Sequence, residues 1–181
     1  MNLKEFEKDS TISDEVISKY RDKVSPEVVD MWKEHGTGSF MGGYFRIINP
    51  DDYSELIEAT YFRGKDSVPL FITAFGEVIT YEENSYIGMI KYNICDFEII
   101  NKGINGFFEC LEDDEYIKDF FDIKLFEKSK NKFGKLALDE SYGFFPLLPL
   151  GGKKDVYHMD KVKTREHIEL IAQLVGKVGM D

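Results

Sequence analysis

From Val68 to Ile100 the chain is written in β-branched and aromatic residues broken only by short turns: "VPLFITAFGEVITYEE", "YIGMIKYN" and "DFEII". Runs of this kind, bounded by Gly, Asn and Asp, are the pattern of neighbouring strands joined by hairpins. They predict an antiparallel meander of three or four strands, with Gly76 as a turn or bulge inside the first pair. On both sides the pattern changes to helix. In "SPEVVDMWKEHG", Ser25 stands as N-cap, Pro26 takes the first helical position and Glu27 lies in the positive first turn. Val28, Val29 and Trp32 share a face there, and Gly36 ends the helix. "NPDDYSELIEATYF" repeats the device with Asn49 and Pro50, placing Tyr53, Leu56, Ile57, Thr60 and Tyr61 on one apolar side.

Thr11 or Ser13 opens an earlier helix through Tyr20, and the stretch 106–133 is helical. "TREHIELIAQLVGKV" is a last helix capped by Thr164, with Ile168, Ile171 and Val175 on one face and Gly176 as its stop. "GTGSFMGG" reads as a tight turn into the strand "YFRII". A contiguous block of strands flanked by helices favours α+β over a parallel α/β sheet. The expected architecture is an antiparallel sheet of about four to six strands flanked by helices, in one globule.

A chain of 181 residues is one domain or two small modules packed together. Its 15 Phe, 10 Tyr and single Trp32 predict a core built on aromatic rings. No run approaches the roughly 20 apolar residues of a membrane span, and "MNLKEFEKDS" has neither the basic start nor the apolar stretch of an export signal, so the cytoplasm is the expected address. Cys95 and Cys110 form neither a metal-ligand pair nor a Cys-x-x-Cys motif and are expected as buried, reduced thiols. Thirty-four acids against 23 bases give a net charge of −11. That balance repels phosphate backbones, which disfavours direct nucleic-acid binding, and attracts a basic protein partner at long range.

Motifs of catalysis are missing from the sequence. His35, His158 and His167 are scattered, with no metal-binding spacing among them, and each is expected to be hydrogen-bonded or solvent-facing. There is no Gly-x-Ser-x-Gly elbow. "GTGSFMGG" follows a helix and precedes a strand, the reverse of a phosphate-binding order. In "LPLGGKK", Leu147 stands where a P-loop needs its first glycine, and Lys154 where it needs Ser or Thr. No enzyme, metal or cofactor is therefore expected. Carboxylates crowd "ECLEDDEYIKDFFD": Glu112, Asp113, Asp114 and Glu115 at a helix start, with Asp119 and Asp122 beyond. They form a solvated helix face or an acidic surface that docks into a partner's basic groove.

The tail carries a resemblance. "YGFFPLLPLGGKKDVYHMDKVKTREHIELIAQLVGKV" resembles the C-terminal domain of the type VI secretion DNase-immunity protein family, through Tyr142, Gly143, Phe144, Pro146, Leu148, Leu150, Gly151, Gly152, Val162, His167 and Gln173-Leu174. Ile168 follows His167 where the family pattern has Leu. The N-terminal half is similar to the GAD-like domain that precedes it in such proteins, through Pro26, Trp32, Gly36, Gly38 and Phe40, then "NPDDY" and "AFGEVITY" with Gly76.

The resemblance implies a GAD-like module over 1–102 and an immunity module over 103–181, packed as one unit. It implies a non-catalytic, cytoplasmic protein that neutralises a toxin, a nuclease in several relatives, delivered by a neighbouring cell. The alternative is a regulatory or small-ligand-binding module of the same fold. Oligomeric state is left open. The apolar segment 142–162 is expected as a buried crossover, with Phe144, Phe145, Leu147, Leu148 and Leu150 inside and Pro146 and Pro149 outside any ladder.

Overall fold

Three short strands precede the meander and widen it. In the computed structural model, which describes residues 3–180, they are β1 (Glu7–Ser10), β2 (Thr37–Phe40) and β3 (Phe45–Ile47). They run on into β4 (Val68–Thr73), β5 (Val78–Glu82), β6 (Tyr86–Lys91) and β7 (Asp96–Lys102), all in one antiparallel sheet in chain order. Seven strands exceed the four to six expected. The reason is local: β3 lies in the expected strand "YFRII", but β1 is wholly exposed and charged, as edge strands are, and the four residues of β2 are too few to show an alternation. Half of "GTGSFMGG" is thus strand, and only Met41–Gly43 is turn.

The helices begin where their caps are written. Ser13 Oγ accepts from Val16 N (3.3 Å) at the start of α1 (Asp14–Tyr20), and Asn49 Oδ1 from Asp51 N (3.1 Å) at the start of α3 (Pro50–Thr60). Between them, α2 (Pro26–His35) starts on Pro26, but Ser25 makes no side-chain cap.

Both faces of the sheet are covered. On one, Phe71, Ile79, Ile87 and Met89 meet Val28 and Trp32 of α2, Phe107 of α4 (Ile104–Cys110) and Phe126 of α6 (Ile123–Phe133). On the other, Ile72, Val78 and Ile90 meet Leu56 and Ile57 of α3 and Ile168 and Ile171 of α7 (Thr164–Val175). Every residue of β4 and β5 is buried, which explains why those strands read as continuous apolar runs. Rings dominate the first layer: Phe40 stacks on Phe45 at 5.1 Å and Phe71 on Phe107 at 5.7 Å. Such pairs add about 1 kcal/mol each beyond area burial.

The helical stretch 106–133 is divided among three helices, because Asp113 caps α5 (Asp114–Phe120) and Phe121 leaves it in extended backbone. A separate antiparallel pair, β8 (Glu140–Phe144) and β9 (Met159–Lys163), frames the proline-rich segment. Phe144 and Leu147 are buried as expected, and Pro146 and Pro149 lie outside the ladder, but Phe145 is 45% and Leu150 58% exposed and Leu148 only half-buried. A three-residue 3-10 turn over Leu148–Leu150 presents one side to the body, so its apolar residues cannot all be inside. Thr164 lies one residue inside α7 instead of capping it, and its hydroxyl shares a hydrogen bond with Ser141 of β8 (2.7 Å).

One charge crosses the seam between sheet and tail. Arg46 of β3 is 1% exposed. Its guanidinium donates to the Thr73 carbonyl, to Ser141 Oγ (3.1 Å) and to the Ala137 carbonyl (3.4 Å). Burial pulls it down to about 10, still protonated at neutral pH.

Candidate functional site

The turn from β4 to β5 is pinned by hydrogen bonds from inside and from two other segments, and it carries an unusual acid. Thr73 closes it: the hydroxyl accepts from Phe75 N (3.3 Å) and Glu77 N (3.2 Å) and donates to the Glu77 carboxylate. Gly76 sits at φ +81°, a conformation glycine adopts at no steric cost. The tail and the β6–β7 turn hold the two carbonyls between. Tyr142 N donates to Ala74 O and Asn93 Nδ2 to Phe75 O, each at 2.8 Å. Glu77 is therefore presented by a rigid turn, the usual support of a functional residue.

Its carboxylate lines a cleft of about 180 Å³ between β6, α5 and the 148–154 loop. Met89, Phe121, Phe144 and Leu148 supply apolar walls, while Lys91, Lys118, Lys154, Asp119 and Asp122 supply charge. Most of that charge is matched: Lys154 pairs with Asp122 at 2.5 Å and Lys91 with Glu98. Among the described residues Glu77 makes no ion pair, and only its Oε2 is hydrogen-bonded, to Thr73. Burial raises the Glu77 carboxyl to about 7; Lys154 and Lys91 pull it down and Asp122 pushes it up.

At the opposite end of β5 the contrast is complete. Glu82, 1% exposed, accepts from Thr80 Oγ1 (2.6 Å) and Ser67 Oγ (2.8 Å) and has Arg63 Nε at 3.6 Å. Burial raises this carboxyl also, against the pull of those three partners.

The acids singled out in the sequence do not share one surface. Asp113, Asp114 and Glu115 are exposed at the start of α5, where Asp113 Oδ1 caps Glu115 N (2.8 Å). Asp119 and Asp122 belong to the Glu77 cleft. Glu112 lies outside α5, pairs with Lys4 (2.6 Å) and lines a second groove of about 480 Å³ between α2 and α4 with Glu27, Asp30, Glu34 and Glu109. Sequence reasoning missed both that groove and Glu77. The spacing of Glu27, Asp30 and Glu34 on one helical face was the available signal for the groove. For Glu77 there was none, because its surroundings come from four distant segments.

The motif residues hold the frame. Trp32 and Phe40 are buried, with Trp32 edge-on to Tyr20 at 6.4 Å. The Tyr142 hydroxyl donates to Gly134 O (2.7 Å). Gly36 and Gly151, like Gly76, have positive φ, and Gly38 and Gly143 lie against Phe6 and His167. A Cβ on Gly152 would stand 1.8 Å from the Pro146 carbonyl, so no other residue fits there.

Among the histidines, His158 Nδ1 meets Asp155 Oδ1 at 2.8 Å. His167 departs from expectation. It is buried against Gly143 and Phe145, with Nε2 unpartnered among the described residues and its pKa lowered by burial. The loss of a hydrogen bond there follows from close packing of α7 on β8. Cys95 and Cys110 are free thiols, half-buried rather than buried. Among the described residues no cluster of three His, Cys, Asp or Glu is arranged to hold a metal ion, and no helix is long and apolar enough to cross a membrane. What the cleft offers chemically is one desolvated carboxyl group that ionises near neutrality, set between apolar walls and largely matched charges.

Comparison with known proteins places this geometry in context. Residues 1–94 match the model of the GAD-like domain, and residues 101–175 match that of the T6SS immunity protein Tdi1, C-terminal. The crystal structure of Atu4351 from Agrobacterium tumefaciens superposes with a TM-score of 0.73 at 19% identity, covering 93% of this chain and 85% of that one, so the fold is shared. No curated protein matches the chain.

Proposed function

The chain belongs to the family that joins a GAD-like domain to the C-terminal domain of the T6SS immunity protein Tdi1, and from that premise we propose that it neutralises one cognate toxin by covering the toxin's working surface. Domains of this family are binding modules rather than enzymes. The single observation that carries the reading is the occurrence of both domain models, in order, along nearly the whole chain.

The toxin is basic, and a nuclease is the kind that best suits an acidic inhibitor of charge −11. Opposite charge accelerates capture, and protection requires capture before damage. The same charge keeps the protein off nucleic acid itself. Its work is done in the cytoplasm of the protected cell. Exposed acids at Asp113, Asp114 and Glu115, with the α2–α4 groove beside Glu112, steer the toxin in; Asp119 and Asp122 lie closer to the docked surface. The modules 1–102 and 103–181 act as one body, a view supported by the Arg46 seam and by the core that α4 and α6 share with the sheet.

The test is to express the toxin domain encoded in the adjacent open reading frame with and without this chain. Growth arrest by the domain alone, growth restored by coexpression, and a tight 1:1 complex are expected. A domain that arrests growth regardless of this chain sinks the reading.

A further inference from the structure

We infer that the cleft beside the β4–β5 turn receives one cationic side chain of the toxin, an arginine or lysine, with Glu77 as its ion-pair partner. This deepens the immunity reading and rests on it. The cleft's other acids are either matched or outside its depth: Asp122 has Lys154, while Asp119 is exposed on α5. Glu77 alone among them is half-buried with no ion pair among the described residues, Lys91 and Lys154 acting on it only from a distance, and its Oε1 has no hydrogen bond there. Desolvating a carboxylate is unfavourable unless a partner compensates. The turn cannot relieve that cost by swinging out, because Thr73, Tyr142 and Asn93 pin it.

The walls match the stem of a long basic side chain. Met89, Phe121, Phe144 and Leu148 are the apolar surface against which methylene groups pack while the charged head goes to the acid. At about 180 Å³ the space is smaller than the roughly 300–1,000 Å³ of cofactor and drug pockets, and suits one side chain rather than a whole ligand. Arginine anchors seated in desolvated pockets are the residues that dominate interface energies. Lys91 and Lys154 do not bar the way, since each is held by its own acid.

Proton linkage follows from the surroundings. Facing Glu77 are Lys91 from β6, Lys154 from the 148–154 loop, Asp122 from the α5–α6 junction, Lys118 and Asp119 of α5 at the rim, and the buried Tyr44 hydroxyl. Only the ionised carboxylate can pair, and Glu77 ionises near pH 7. Binding therefore tightens as pH rises through neutrality, by about tenfold between pH 6 and pH 8.

The experiment measures Kd for the toxin domain at pH 6, 7 and 8 with wild type, Glu77→Gln and Ile94→Trp. The last places bulk at the cleft's exposed edge without touching Glu77, and thermal unfolding confirms that each variant is folded. Expected are at least tenfold weaker binding by both variants at pH 8, mainly through faster dissociation, and loss of the wild-type pH dependence in Glu77→Gln. If both variants bind like wild type with its pH profile, the cleft proposal is overturned and the immunity reading stands. If wild type does not bind the toxin domain at any pH, both fall.

Discussion

Strand β5 is flanked by two glutamates, Glu77 in the turn just before it and Glu82 at its last position, and the two ends behave oppositely. Glu82 is enclosed and saturated: two hydroxyls and a guanidinium surround it, with almost no solvent contact. Glu77 is also desolvated, yet it has one hydroxyl partner and opens on a cleft. Burial raises both carboxyls, so an altered titration does not separate a structural acid from a binding one. What separates them is whether the chain itself completes the acid's hydrogen bonds. A completed acid holds the fold together, and an incomplete one facing a cavity is available to a partner.

The largest test of this contrast is at the closed end. Glu82→Ala strands Ser67, Thr80 and Arg63 around an emptied site and is expected to cost about 4 kcal/mol in denaturant unfolding. A cost near zero would remove the distinction between the two ends. Arg46→Met, which takes one donor from each of the Thr73 and Ala137 carbonyls and from Ser141 while their other hydrogen bonds remain, should cost about 2 kcal/mol while retaining a single cooperative transition. Two separate transitions in that variant would show the sheet and the tail to be independent bodies.

At the open end the sign reverses. An acid whose folded pKa lies above its ordinary value binds more protons folded than unfolded, so its contribution to stability falls as pH rises. For Glu77 the window runs from 4.5 to about 7. Glu77→Gln is therefore expected to be more stable than wild type above pH 7, by about 2 kcal/mol once solvent in the open cleft is allowed for, and no more stable below pH 4.5. Equal stability at pH 8 would mean that the site is well hydrated. The smallest effect belongs to the surface. Reversing Asp113, Asp114 and Glu115 together to Lys should slow toxin association about fivefold at low salt with little change in dissociation. An unchanged rate and salt dependence would remove that patch from the encounter surface.

The helix starts at Pro26 and Asn49–Pro50, a first helix opened by Thr11 or Ser13 (Ser13 in the structure), a meander of three or four strands (four in the structure) and the Gly76 turn were legible because each is set by residues within one turn or hairpin. β1 and β2 were not, because strands of four residues carry too little pattern to distinguish strand from loop. Phe145 and Leu150 misled for a related reason: their hydrophobicity predicted burial, but Phe145 just past the end of β8 and Leu150 in a surface 3-10 turn lie outside. The motif residues Tyr142, Gly143, Phe144, Pro146, Gly151 and Gly152 were visible as a string, but the part that Tyr142 plays in bracing the Thr73–Glu77 turn, through its N–H to the Ala74 carbonyl, was not.

By itself the sequence determined the α+β class, the aromatic core, the acidic balance and the family pattern, since these depend on residue types and short-range spacing. Tertiary structure alone decided which acid lies at which surface. Glu112 to Asp122, contiguous in sequence, were distributed over two clefts and a helix start, while Glu77 was brought against Lys91, Asp122 and Lys154. The physical reason is that a charge takes its solvation and its partners from whatever the fold packs against it, and a one-dimensional pattern carries neither.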